Sequence, residues 1–191
     1  MAFTKSMSLA VSKDVFLSNK RNKQKFIHML GEELCAIGCE VVHEQADADF
    51  TIAQKTIQNA DTMAAVLVGD DTNLLVLLLH HAGHQNRKIF FAPEPKKNSK
   101  SRIKYISEIH RRLGSYVCRQ LLFTHAMLGC DTTSRLHGIG KALLLKKIRS
   151  STTLQQSAQV FECTTSSKED IATAGRRVLV ELFGLKQGQS P

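Results

Sequence analysis

Two apolar runs constrain this chain more than any other feature. Met63–Val68 (MAAVLV) and Leu74–Leu79 (LLVLLL) are separated only by Gly69-Asp70-Asp71-Thr72-Asn73. A continuous apolar run of this length, bounded by turn residues, fits a buried strand of a parallel sheet. The glycine and acids break it, and NLLVLLLHHAGH restarts as a helix with an acid at its head. A strand, a tight polar turn and a helix predict an α/β unit. The same break leaves no apolar stretch near the ~18 residues a membrane span needs.

The flanking segments extend the pattern. Residues 20–38 carry Phe26, Ile27, Leu30, Leu34 and Ile37 at helical spacing, with Gly38 as the stop. Cys39–His43 (CEVVH) reads as a short β-branched strand, residues 46–59 as an amphipathic helix, and RKIFFAP as a further strand closed by Pro93 and Pro95. Alternating strands and helices predict an α/β fold with a parallel sheet. After the basic loop at 94–104 (EPKKNSKSRIK), residues 105–128, 141–149 and 167–185 read as helical, with Ser167 and Asp170 in capping positions. The organisation is an N-terminal segment (1–38), an α/β half (39–93), the basic loop, a helical region (105–150) and a helical tail (151–191).

The 191 residues carry a formal charge of +9 with a pI near 9.5, which favours a polyanionic partner: nucleic acid first, an anionic membrane surface second. Apolar content of 42% with 23% charged residues is that of an ordinary globular chain. Five cysteines without paired spacing do not form a disulfide framework, and Cys35 and Cys39 lack the spacing of a zinc knuckle. A reducing compartment, nuclear or cytoplasmic, is expected. The N-terminus lacks the apolar core of a signal peptide.

Ligands of open parallel sheets collect beyond the carboxyl ends of the strands. Acids fall there: EQADAD (Glu44–Asp49) after the first expected strand and GDDTN (Gly69–Asn73) after the second, with Asp131 arriving from the helical half. Carboxylates that converge repel one another unless a cation stands between them, and magnesium takes oxygen ligands together with phosphates. The alternative is local: Asp47, Asp71 and Asp131 each fit a helix N-cap. Downstream, Gly138-Ile139-Gly140-Lys141 precedes a helix that carries Lys146, Lys147 and Arg149. Glycines let backbone N–H groups approach a phosphate closely, and the helix start is electropositive. Contacts of this kind hold a duplex without reading its sequence. His80, His81 and His84 are read as a helix end stocked with imidazoles rather than a zinc site, and Cys130 as a small packed residue.

Three segments together resemble the flap-endonuclease superfamily, a PIN-like nuclease fold. VVHEQADADFTIA resembles its strand followed by an acid pair, VLVGDDTNLLVLL its second strand and acid pair, and MLGCDTTSRLHGIGK its last metal-binding aspartate followed by a helix–two-turn–helix element. The pattern is also similar to transposon-associated animal proteins. The resemblance spans about residues 39–150. It implies an incomplete PIN-like parallel sheet with a helix–two-turn–helix region, acting on DNA or structured nucleic acid, with DNA ahead of RNA. It further implies magnesium or manganese held by Asp47, Asp49, Asp71, Asn73 and Asp131, the four aspartates being catalytic. Gly138, Ile139, Gly140, Lys141, Lys146 and Lys147 would hold the nucleic-acid backbone. Two departures stand out. Asn73 occupies a position where the family has aspartate, and the family's opening strand and gateway helices have no counterpart, so a truncated or degenerate nuclease is expected. A non-catalytic nucleic-acid-binding module is the competing class.

Overall fold

The β-strand expected at 39–43 is absent, and its fate shows how the N-terminal part of the chain folds. The computed structural model describes residues 3–184 except 5, 9, 45–46, 84–86, 95–102, 131–132 and 134–135, and excludes the side chains of residues 141 and 142. These residues fall into two compact units divided after Ala46.

In the first unit, α1 (Lys13–Ser18) and α2 (Lys20–Ala36) are each opened by a side-chain cap: Ser12 Oγ accepts from Val15 N–H, and Asn19 Oδ1 accepts from Arg21 and Asn22 N–H. Ile37 closes α2, and Gly38 follows at φ 88°, a left-handed conformation suited to glycine. The chain then runs back along the helix. A Cβ built on Gly31 would meet His43 Nε2 at 2.7 Å and Val41 Cγ1 at 3.2 Å, so the segment read as a strand lies against the glycine of α2. Its β-branched residues find a helix face rather than a strand partner, which is the physical reason the strand does not form. His43 and His28 rings stand 4.7 Å apart. Phe3, edge-on to Phe16 at 4.8 Å and beneath the Lys25 ammonium at 5.0 Å, is the one apolar side chain buried among the described residues of this unit.

The second unit opens with α3 (Asp49–Asn59), β1 (Ala65–Val68), α4 (Thr72–His81) and β2 (Ile89–Ala92). β1 and β2 pair in parallel, with Leu67 opposite Phe91, and α4 is carried in the crossover between them. Arg87, which leads into β2, binds Asp61 at 2.6 Å and so ties the start of β2 to the turn before β1. β3 (Lys104–Tyr105) joins β2 antiparallel, with the Tyr105 ring stacked on Phe90 at 5.0 Å. The sheet is therefore mixed, in the order β1-β2-β3, and a purely parallel sheet is corrected. β1 is buried on one face only: Leu67 is 3% exposed, whereas Val66 and Val68 are 55% and 62% exposed. The apolar run that suggests a strand covered on both faces is covered on one.

The single helix expected over 105–128 is three: α5 (Ile106–Leu113), α6 (Ser115–Arg119) and α7 (Leu121–Met127). Gly114, at φ 81° and ψ 151°, makes the first break, and Gln120 joins the other two. Then follow α8 (Lys141–Ser150), α9 (Thr152–Glu162) and α10 (Lys168–Phe183). Ser167 and Asp170 form the expected capping box, each side chain accepting from the other's backbone N–H. Helix α9, headed by Ser151, falls within the expected helical tail, ahead of the segment 167–185 read as helical.

Two apolar clusters hold the unit together. One joins Ala53, Leu67, Leu78, Ile89, Phe91 and Ile106 around the sheet. The other joins Phe123, Leu144, Ile148, Leu154, Val178 and Leu182 across α7 to α10. Each fully buried Leu, Ile, Val or Phe among them contributes roughly 1.5–3 kcal/mol. The fold is mixed α/β with a helical second half.

Candidate acid sites and nucleic-acid interface

Two of the expected acids, Asp71 and Asp47, serve their local backbone. Asp71 is the N-cap of α4, and its Oδ1 accepts from Asn73 N–H at 2.8 Å. Asp47 Oδ1 accepts from Asp49 N–H at 3.2 Å, closing a short turn into α3. Asp70, next to the cap, accepts from Glu94 N–H at 3.0 Å and so clips together the loops that leave β1 and β2. The capping alternative raised by the sequence is realised at Asp71 and, in turn form, at Asp47.

The two acid segments address different ends of α4. Phe50, adjacent to Asp49, stands edge-on to His81 in the last turn of α4, their rings 5.5 Å apart. Asp71 precedes the first turn, ten residues earlier and roughly 15 Å away along the axis. Among the described residues, no group of three or more His, Cys, Asp or Glu side chains could hold a metal ion. Asp131 lies outside the described residues, as does His84.

A contact that no sequence spacing announces links the middle of the site. His125 Nε2 lies 2.7 Å from Asn73 Oδ1, joining α7 to the head of α4. An amide oxygen only accepts, so Nε2 carries the proton. The histidine pair at the other end of α4 has structural work as well. His80 Nδ1 meets the Arg119 carbonyl at 3.0 Å, and burial, with His80 alongside, holds the His81 imidazole below its ordinary pKa.

The glycine turn before α8 has the form that phosphate contact needs. Gly138 adopts φ 78°. Ile139 is buried in the second apolar cluster and anchors the turn. Gly140 is the N-cap of α8 and brings no side chain to cap the first helical turn. A Cβ at Gly138 or Gly140 would meet nothing within 4 Å, so the turn is open at both glycines. Lys141 is the first residue of α8.

The basic residues of α8 divide by face. Leu144 and Ile148 enter the core, while Lys146 is exposed. Lys147 Nζ donates to the carbonyls of Glu181 and Leu182 at 2.9 and 3.1 Å, which caps the last turn of α10. Arg149 donates to the carbonyl of Leu113, the last residue of α5, at 3.2 Å. Cations placed at helix C-termini satisfy orphan carbonyls and the negative end of the dipole. Lys147 thus serves the fold, whereas Lys146 on the same helix is exposed.

No protein family, curated protein or solved structure matches the chain. No helix among the described residues is long and apolar enough to cross a membrane.

Proposed function

We propose that this chain binds the phosphate backbone of nucleic acid, DNA in the first instance, through the Gly138–Gly140 turn and the first turn of α8. The observation that carries this reading is the turn ahead of α8, open at Gly138 and Gly140, headed by a glycine N-cap and anchored by buried Ile139. Lys146 on the exposed face and the +9 charge of the chain supply the electrostatic attraction. The resemblance of MLGCDTTSRLHGIGK to the helix–two-turn–helix of flap endonucleases points the same way. The protein is then a binding module of nuclease-like descent, and the backbone hydrogen bonds accepted by Asp47 and Asp71 suit a site that holds rather than cuts. The test is binding of labelled duplex, flap and single-stranded DNA over a salt series. Affinity should fall steeply with salt and vary little with sequence.

A second reading, metal-dependent phosphodiester hydrolysis with magnesium or manganese, is favoured by the Asn73–His125 contact. That bond draws the helix leading toward Asp131 against the segment that bears Asp71. The control is unusually clean. Asparagine caps a helix as well as aspartate does, so Asp71→Asn removes the charge and keeps the cap. Cleavage under manganese that is lost in Asp71→Asn supports the second reading; intact substrates with both proteins leave the binding module.

A further inference from the structure

Helices α4, α6, α7 and α9 border an open cavity of about 800 Å³ that backbone binding at α8 does not use. Its size is that of a small-ligand site, roughly 300–1,000 Å³. Leu122, Phe123 and Met127 from α7 and Phe161 from α9 give it an apolar wall, and Arg119 and Glu162 add one charge of each sign. The Phe123 and Phe161 rings stand 5.3 Å apart, Phe123 buried and Phe161 38% exposed. An aromatic surface is thus available to a flat ligand.

The two charges are held from behind. His80 Nδ1 meets the backbone carbonyl of Arg119 at 3.0 Å, and Gln120 Nε2 donates to Glu162 Oε1 at 3.3 Å. Gln120 is 4% exposed, yet its own Oε1 has no hydrogen-bond partner among the described residues. A buried acceptor left unsatisfied is a cost that packing does not explain. Here it accompanies the fixing of a carboxylate at the cavity wall. Arg119 and Glu162 line the same cavity, but no ion pair joins them among the described residues. A guanidinium and a carboxylate set apart on one apolar wall suit a ligand that offers acceptors to the first and donors to the second.

We propose that this cavity is a nucleobase site that takes an unstacked guanine, with Glu162 and Arg119 reading its edges beside Phe161. Guanine carries N1–H and N2–H groups as adjacent donors, which one carboxylate accepts together. Its O6 and N7 are adjacent acceptors, which a guanidinium meets bidentately. Adenine and cytosine place a ring acceptor next to the exocyclic amine, so a lone pair would face the carboxylate. Uracil offers one donor between two carbonyls. Bases of single strands, loops and ends are recognised by stacking and edge contacts of this kind. The cavity would add a base preference in unpaired segments to a chain whose backbone contacts read no sequence. Delivery of the base by a bound strand rests on the proposed backbone binding; occupancy of the cavity by a free nucleotide does not.

The test is an NMR titration of the full isotope-labelled chain with GMP, AMP, CMP and UMP, read at the backbone amides of Arg119, Leu122, Met127 and Glu162. GMP should shift these signals with an affinity at least about tenfold above that of the other three. Inosine monophosphate, which lacks the N2 amine, should bind about tenfold more weakly than GMP. Glu162→Gln, whose amide oxygen still accepts from Gln120, should erase that difference. Ala126→Trp, at an exposed position of α7 on the cavity wall, should abolish the shifts while circular dichroism stays that of the wild type. Should the tryptophan variant misfold, the GMP–inosine comparison in Glu162→Gln decides alone. Absence of shifts at millimolar GMP overturns the proposal, as do equal affinities for the four nucleotides or shifts confined to other parts of the chain. So does a GMP–inosine difference that Glu162→Gln leaves intact. A mononucleotide has no duplex backbone to hold, so failure here is distinct from failure of duplex binding at the Gly138–Gly140 turn.

Discussion

The side chains of Asn73 and His125, 52 positions apart in sequence, meet at 2.7 Å and join the first turn of α4 to α7. The bond fixes one imidazole nitrogen as a donor and gives the amide at position 73 a structural role. Restoring a carboxylate there tests the contact. In Asn73→Asp the imidazolium gains an anionic partner, so the His125 pKa in the folded protein should rise above its unfolded value. A raised folded pKa adds stability that is fully present below about pH 6.5 and is lost as pH rises through the folded value. The variant's Tm should therefore exceed that of the wild type at pH 5 by the equivalent of roughly 1 kcal/mol, with the gain gone in mild alkali. A pH-independent difference would separate the two residues.

Lys147 and Lys146 are neighbours in sequence with different surroundings: Lys147 reaches the end of α10, and Lys146 is exposed. Removing Lys147 leaves the carbonyls at the end of α10 without their donor, and Lys147→Met should cost ~1–3 kcal/mol in chemical denaturation. Its effect on nucleic-acid affinity should be small. Lys146→Glu should do the reverse, with stability nearly unchanged and binding weakened at low salt. If both substitutions weakened binding equally without loss of stability, the assignment of Lys147 to the fold would be wrong.

Gly31 is where α2 admits the returning segment. Gly31→Ala adds a methyl 2.7 Å from His43 Nε2 while improving the helix propensity of the position by ~0.5–1 kcal/mol. The two effects separate in measurement: α2 helicity should hold or rise, and NMR cross-peaks between the His28 and His43 rings should vanish. Cross-peaks that persist unchanged would mean that the segment does not pack there.

Cysteine reactivity should follow environment. Hydrogen bonding to the Thr165 hydroxyl, 3.1 Å from the sulfur, holds the exposed Cys163 thiol below its ordinary pKa, whereas burial pushes Cys118 up. Limited alkylation near neutral pH followed by mass spectrometry should mark Cys163 early and Cys118 last. Early labelling of Cys118 would indicate that the region around α6 opens.

The strand–turn–helix from Ala65 to His81 was legible because one short break, GDDTN, separates two runs too apolar to lie in a loop. The caps at Ser167 and Gly38 were legible for the same reason, since short-range chemistry decides them. Elsewhere distant contacts decide. CEVVH has strand composition, but Gly31 offers its side chains a helix groove. β3 is two residues long and is set by the stacking of Tyr105 on Phe90, below the reach of periodicity. The break at Gly114 hides inside a helical pattern that continues on both sides of it. At the candidate site, the sequence placed acids at helix starts and left open whether they cap or bind. The capping hydrogen bonds are visible only in the structure, and nothing in sequence spacing pairs Asn73 with His125.

The most direct test of backbone binding at α8 is Gly140→Asp, because it drives stability and binding in opposite directions. Gly140 has the extended backbone of an N-cap, and its Cβ position is open. Aspartate there should cap α8 and stabilise the fold by a few tenths of a kcal/mol. The same carboxylate would occupy the N–H groups offered to phosphate and repel it. Fluorescence anisotropy with a labelled DNA duplex, at low and moderate salt, should show salt-sensitive binding by the wild-type chain. The variant should bind several-fold more weakly while its Tm is unchanged or higher. Absence of wild-type binding at low salt, or equal affinity for both proteins, would contradict phosphate recognition at this turn.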